Sequence, residues 1–203
     1  ALIAAGAFLA GGMNAIAGGG TFFSFPALLA AGVPPVTANA SNTVALWPAS
    51  LSSAWAYRHE ALRHKKWALI LMGVSLVGGI TGGLLLLATS NAAFSKMIPW
   101  LLLVATLLFA FSAQVSKLIA AIKAKLGAAA SEEPGSIGGA CFQLVVAIYG
   151  GFFGAGLGIL TLAALSIQGF KDMQELNALK NVASAVNYTV AAATFIIAGA
   201  VSW

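Results

Sequence analysis

Charge is what this chain has least of. Asp, Glu, Lys and Arg make up 7% of its 203 residues, against about 25% in a soluble domain. That shortage excludes a soluble globular domain and a disordered chain, both of which rely on charged surface. A lone cysteine, Cys141, excludes a disulfide scaffold. The acidic residues are Glu60, Glu132, Glu133, Asp172 and Glu175. All lie in or beside the gaps between apolar runs, so no carboxylate relay for protons is visible within a run. Nucleotide chemistry is missing as well. There is no Walker motif, and Gly154-Ala155-Gly156-Leu157-Gly158 lacks the spacing and the preceding strand of a dinucleotide fingerprint. His59 and His64 bracket a zincin-like HEALRH, but one residue too many sets the imidazoles about 140° apart on a helix, which argues against a metal. No Ser/His/Asp set falls within a run, so no catalytic residue and no cofactor is assigned.

What the chain has in quantity is hydrocarbon: 60% of residues are hydrophobic and the mean hydropathy is +0.95. Crossing a bilayer core takes roughly 20 apolar residues, and such runs recur. Residues 1–31 are apolar but interrupted at Gly18, Gly19 and Gly20; 36–57 follow Pro34-Pro35; 67–88 and 98–116 are free of charge. Residues 137–169 are broken at Gly154, Gly156 and Gly158, and 177–203 close the series. The first run is too long for a secretory signal and lacks a basic leader. The pattern is that of an all-α polytopic membrane protein, a single transmembrane domain over 1–203.

The net charge of +5 reads as a topology signal rather than a nucleic-acid surface, because the basic residues sit in the gaps. Arg58, Arg63, Lys65 and Lys66 place the loop 58–66 in the cytoplasm; the loop 89–97 has only Lys96 and faces outward; Lys117, Lys123 and Lys125 return the chain inside. There SKLIAAIKAKLG reads as a basic amphipathic helix on the lipid surface, followed by a polar linker at Glu132 to Gly135.

Sliding the chain on itself by 138 residues lays Ala17-Gly18-x-Gly20 on Ala155-Gly156-x-Gly158, Asn39-Ala40 on Asn177-Ala178, and Val44-Ala45 on Val182-Ala183. Each copy is a glycine-broken apolar stretch, a short loop and a helix with amides in its first turns. If each broken stretch turns back as two half-helices, three crossings separate the copies and they are inverted. The uncharged loop at 32–36 against Lys171, Asp172 and Glu175 at 170–176 favours that arrangement. Broken helices in inverted repeats are a secondary-transporter architecture. Repeat one spans about 1–136 and repeat two about 137–203; the second has no counterpart of the spans after Trp67, so it is expected to be incomplete at its C-terminus.

The stretch AIAGGGTFFSFPALLAAGVPPVTANASNTVAL, with GGFFGAGLGILTLAAL and NALKNVAS in the second copy, resembles the TauE/SafE sulfite exporter family, also called the toluene sulfonate uptake permeases. The resemblance covers nearly the whole chain and is strongest over 14–46. It implies a multi-pass carrier of the bacterial inner membrane for sulfite or an organosulfonate such as sulfoacetate or taurine, here expected to export. An anion channel or a sulfonate uptake permease is the alternative, and a membrane-embedded enzyme a remote one. The partners expected are the small anion and membrane lipid, with no nucleic acid and with room for a homodimer.

A sulfur oxyanion in hydrocarbon needs donors that hold it without trapping it. Free N–H groups at half-helix N-termini suit this, and glycine lets the backbone approach. At 1.5 Å per residue Gly20 lies roughly 18 Å from Gly32, Thr43 roughly 14 Å from Pro34, Gly158 roughly 16 Å from Gly169 and Asn181 roughly 15 Å from Lys171, all near mid-depth. The candidate substrate-binding residues are therefore Gly18, Gly19, Gly20, Thr21, Asn39, Asn42, Thr43, Gly156, Gly158, Asn177, Lys180 and Asn181. Two readings stand beside each other. Gly154 and Gly158 also form a small-xxx-small packing pair, the amides also suit helix bridging, and Lys180 either attracts the anion or snorkels to the interface. The pairs Gly78/Gly82 and Gly79/Gly83 are read as packing surfaces, within the chain or between subunits. The sequons at Asn39 and Asn187 fall inside spans and are chance matches.

Overall fold

The computed structural model describes residues 2–17, 19–111, 114, 137–170 and 172–203. The elements it describes are α-helices: α1 (Leu2–Ala17), α2 (Thr21–Ala30), α3 (Pro35–Ala56), α4 (Arg58–Arg63), α5 (Lys65–Ala88), α6 (Asn91–Ala110), α7 (Ile137–Phe152), α8 (Leu157–Ile167) and α9 (Met173–Ile197). No strand occurs among the described residues, so the expected all-α class holds. The basic amphipathic segment and the linker after it lie outside the described residues.

Local chemistry sets the boundaries. Pro35 occupies the first turn of α3, where its missing N–H costs nothing. Asp172 caps α9, its carboxylate accepting from Gln174 N at 2.7 Å and Glu175 N at 3.2 Å. Two expectations shift. The loop expected over 89–97 is mostly helix, because Ser90 accepts from the Ala93 N–H through its side chain and from Phe94 N through its carbonyl, and α6 starts at Asn91. Much of the basic loop 58–66 is the helix α4.

In both glycine-rich stretches the helices on either side of the glycines lie against each other. A Cβ at Gly6 of α1 would meet Ala27 Cβ at 2.7 Å and Phe23 O at 3.3 Å, both on α2. In the second stretch Gly139 of α7 lies against Gln168, just past α8, whose Nε2 donates to Gly139 O at 3.4 Å. The reversal between α7 and α8 runs through Gly154 and Gly156, with φ of +77° and +75°, a left-handed backbone that other residues adopt only under strain. Tyr149 Oη donates to Ala155 O at 2.9 Å and ties that turn to α7.

The loops that follow the two hairpins sit among different neighbours. After α2, Val36 N donates to Asn91 Oδ1 at 3.0 Å. After α8, Glu175 Oε1 pairs with His64 Nε2 at 3.0 Å, and Phe170 meets the His64 and Trp67 rings edge-on at 6.0 and 5.8 Å.

Packing rests on α5. A Cβ on Gly82 would collide with Ile148 O and stand 2.6 Å from Phe152 N; one on Gly151 would stand 2.9 Å from Gly79 Cα. Gly79 and Gly83 face Asn187, Val190, Thr194 and Phe195 of α9. The tandem glycines are thus an internal packing surface on which α7 and α9 lie at backbone distance. Asn187 exploits that closeness by donating to Ala147 O at 2.8 Å and Ser75 O at 3.5 Å. Elsewhere the interior holds a ring cluster of Phe25, Phe94, Phe153 and Phe195.

Polarity is reversed relative to a water-soluble protein. Leu69, Met72, Leu76, Val77, Leu84 and Leu85 of α5 and Trp100, Leu103, Val104 and Leu107 of α6 are exposed, while Asn39, Asn42, Gln143, Lys180 and Asn187 are buried. Lipid demands that pattern, since it solvates hydrocarbon and leaves polar groups to find partners inside. The 24 residues of α5 are long and apolar enough to cross a membrane.

The glycine contact makes a paired prediction. Gly82→Ala should lower the melting temperature in detergent by several degrees, since overpacking costs about 1–3 kcal/mol. Gly73→Ala, where a Cβ meets nothing within 4 Å, should melt unchanged or slightly higher. Equal melting of the two variants contradicts the close α5–α7 contact.

Candidate functional site

α3 and α9 lie side by side, joined by a 2.9 Å hydrogen bond from Trp47 Nε1 to Thr189 Oγ1. Beside that crossing is a cavity of about 20 Å³ lined by Ser50, Ser53, Gly158, Lys180, Asn181, Ser184 and Tyr188. Helical periodicity explains the α9 wall: Lys180, Ser184 and Tyr188 are four residues apart and share one face. Gly158 comes from the first turn of α8, where backbone N–H groups are left free by the helix. The lining is one ammonium, one amide, hydroxyls and a glycine, with no carboxylate. Lys180 is 4% exposed, and no carboxylate pairs with it among the described residues.

A second polar cluster forms at the first hairpin. Asn42 Nδ2 donates to Thr21 Oγ1 at 3.1 Å, while Asn42 Oδ1 accepts a short hydrogen bond from Ser24 Oγ, which also reaches Gly20 O at 3.1 Å. These groups are buried, and they bolt the start of α2 to α3. The cluster satisfies itself: the Asn42 amide uses both its ends within the protein.

The structure sorts the candidate residues of the sequence into groups. Gly158, Lys180 and Asn181 meet at the cavity. Gly20, Thr21 and Asn42 meet at the α2 cluster, with Gly19 buried in the preceding turn. Asn39 donates through Nδ2 to Phe152 O at 3.0 Å, a bridge from α3 to the end of α7. The Thr43 hydroxyl donates to Asn39 O within its own helix. Gly156 caps α8 with its left-handed turn, Asn177 is half-buried one turn into α9, and Gly18 lies outside the described residues.

Ser50, Ser53, Ser184 and Tyr188 escape the sequence reading. Serine and tyrosine are unremarkable in an apolar run, yet two signals point to them. Ser184 and Tyr188 continue the Lys180 face at helical spacing, and the 138-residue offset lays Ser50 on Tyr188. The same offset lays Asn42 on Lys180 and Thr43 on Asn181. The acidic side chains among the described residues stand elsewhere: Glu60 pairs with Arg63 at 3.2 Å, Glu175 with His64, and Asp172 caps α9.

Comparison with known proteins agrees with this picture. Residues 3–203 match the family described as Sulfite exporter TauE/SafE. A "Probable membrane transporter protein" of Haemophilus influenzae is 32% identical over 97% of this chain and 73% of its own length. The "Probable membrane transporter protein YfcA" of Escherichia coli K12 is 27% identical over 97% of this chain and 70% of its own. No solved structure matches the chain. An all-helical chain with apolar exterior and polar interior, matched from end to end by that family's pattern, is a membrane transporter protein and belongs to the TauE/SafE sulfite exporter family.

Proposed function

We propose that the chain is a multi-pass carrier of the bacterial inner membrane that exports a small sulfur oxyanion, sulfite or an organosulfonate such as sulfoacetate or taurine. The observation that carries the reading is Lys180. A cation buried with no carboxylate partner among the described residues, on the wall of a cavity otherwise lined by neutral groups, is costly until an anion joins it. Asn181, the Ser184 hydroxyl and the first-turn N–H groups of α8 add charge-assisted hydrogen bonds to the anion's oxygens, while the Ser50 and Ser53 hydroxyls donate to Trp47 O and Ala49 O of their own helix. One cation and several neutral donors hold an anion firmly enough to desolvate it and weakly enough to release it. The family's description as sulfite exporters supports the substrate class.

An inverted repeat is part of this proposal. Helix, reversal, helix, loop and helix occur in that order in α1–α3 and again in α7–α9. The first hairpin is followed by the loop near Asn91 and the second by the loop near His64. With α3, α5 and α6 crossing between them, the hairpins enter from opposite faces, and their reversals meet the α3–α9 pair at mid-depth. Gly20 with Gly158, and Asn42 with Lys180, are then equivalent positions in two half-sites.

Driving force follows from where the acids stand. With the described carboxylates, Glu60, Asp172 and Glu175, at helix ends, anion export draws on the membrane potential, worth about 2.3 kcal/mol per charge per 100 mV. Efflux of sulfite from proteoliposomes should follow a potassium–valinomycin potential at equal pH on both sides; flux that ignores the potential and follows a pH gradient instead refutes this, with Asp172 and Glu175 the first residues to neutralise. Saturable flux with counterflow marks a carrier, linear flux a channel, and consumption of the anion without transport an enzyme.

Two classes of variant separate site from scaffold. Lys180→Met and Asn181→Ala should each weaken sulfite binding roughly tenfold or more at unchanged melting temperature, measured by calorimetry on purified protein. Asn42→Ala should instead destabilise the fold by about 1–3 kcal/mol, because it strands Ser24 and Thr21. Full affinity in both Lys180→Met and Asn181→Ala removes the cavity as the site.

A further inference from the structure

Among the described residues four buried polar side-chain atoms lack a hydrogen-bond partner: Asn39 Oδ1, Gln143 Oε1, Gln168 Oε1 and the hydroxyl of Tyr188. Three are carbonyl oxygens of amides that are already anchored through nitrogen. Asn39 donates to Phe152 O, Gln143 to Thr161 Oγ1 at 3.4 Å, and Gln168 to Ala164 O at 3.1 Å. These atoms are acceptors and repel an anion. Tyr188 is the one of the four that offers a proton, and it is 5% exposed.

Its placement is specific. Tyr188 lines the Lys180 cavity. Its hydroxyl lies 3.7 Å from where a Cβ would stand on Gly154, in the reversal between α7 and α8, and the Thr21 hydroxyl at the start of α2 is within hydrogen-bonding reach of it, though not at good geometry. The left-handed turn at Gly154 thus leaves space at the second reversal that the phenol occupies. One side chain of α9 accordingly lines the cavity and stands beside both the Gly154 turn and the start of α2.

Apart from the Thr21 hydroxyl, which already accepts from Asn42 Nδ2, the phenol has no partner of good geometry within the protein, and under-satisfied buried groups in native folds mark an unmet ligand or a functional strain. We infer that the Tyr188 hydroxyl is a substrate-contacting residue, donating to an oxygen of the anion whose charge Lys180 balances. The inference rests on the carrier reading above and deepens it. Being neutral, the phenol adds directional binding to an oxyanion without adding charge to the trap. Spanning the region between the two reversals, it keeps hold of the anion as it leaves Lys180 toward the first hairpin.

Tyr188→Phe keeps the ring and deletes only the donor. Sulfite binding to the purified full chain is measured by calorimetry, with taurine and sulfoacetate in parallel, and melting is followed without anion. The expected result is a tenfold to hundredfold loss of affinity with a melting temperature equal to or above that of the parent, since an unpaired buried group has gone. Unchanged affinity, or a fall in melting temperature with affinity intact, overturns the inference and assigns Tyr188 to packing. If the Phe variant fails to fold, 3-fluorotyrosine at position 188 gives the second readout: a fluorine resonance that moves saturably with sulfite supports the contact, and one that stays fixed overturns it. A parent protein that binds none of the three anions refutes the carrier reading itself, and this inference falls with it.

Discussion

Everything about the site depends on how closely three helix backbones approach. Gly79 and Gly82 bring α5 into backbone contact with α7, and Gly79 and Gly83 do the same work toward α9. Between apolar helices in lipid there is no hydrophobic drive to associate, so van der Waals contact at short range and a few hydrogen bonds must hold them. Asn187 shows the coupling: its amide reaches Ala147 O and Ser75 O because the glycines have removed the side chains that would keep those carbonyls apart. With α9 anchored on that side, the adjoining part of its surface presents Lys180, Asn181, Ser184 and Tyr188 to the cavity beside α3. The packing glycines and the polar wall are two consequences of one helix being pinned.

The architecture is legible in the sequence because a bilayer leaves a chain few choices. Apolar runs predict the helices, and Gly154 and Gly156 predict the place where α7 gives way to α8. Boundaries slip where polar capping outruns hydropathy: α6 begins at Asn91, seven residues before the apolar run from 98, because Ser90 supplies the cap. The site is legible by half. Lys180 and Asn181 stand out as polar residues in an apolar helix, but the sequence shows a donor without showing its acceptor. Asn42 and Asn39 look equally suited to an anion, and the structure finds the Asn42 amide spent on Thr21 and Ser24 and the Asn39 nitrogen spent on Phe152. Ser50 and Tyr188 are invisible until α3 and α9 are laid together, since only that contact decides which faces enclose a cavity.

The two polar centres differ in kind, and the difference is chemical economy. At the first hairpin an asparagine, a threonine and a serine close on each other, a set whose donors and acceptors balance. Beside the second, a lysine and an asparagine line open space. A balanced cluster fixes geometry, and an unbalanced one invites a ligand. The rings of Phe25, Phe94 and Phe153 stand edge-on 5.5 to 6.4 Å apart in an apolar cluster that also holds Phe195.

Asn42 and Lys180 occupy the same place in the 138-residue alignment of the chain on itself, yet one is a neutral amide turned inward and the other a buried cation. Two halves with identical chemistry would give a symmetric energy profile, and current through them would depend only on the gradient. On the proposed anion path, an amide on one side and an ammonium on the other would place the well for the anion off-centre. On the proposed reading the two half-sites are therefore unequal, and the anion would meet a different apparent affinity from each face.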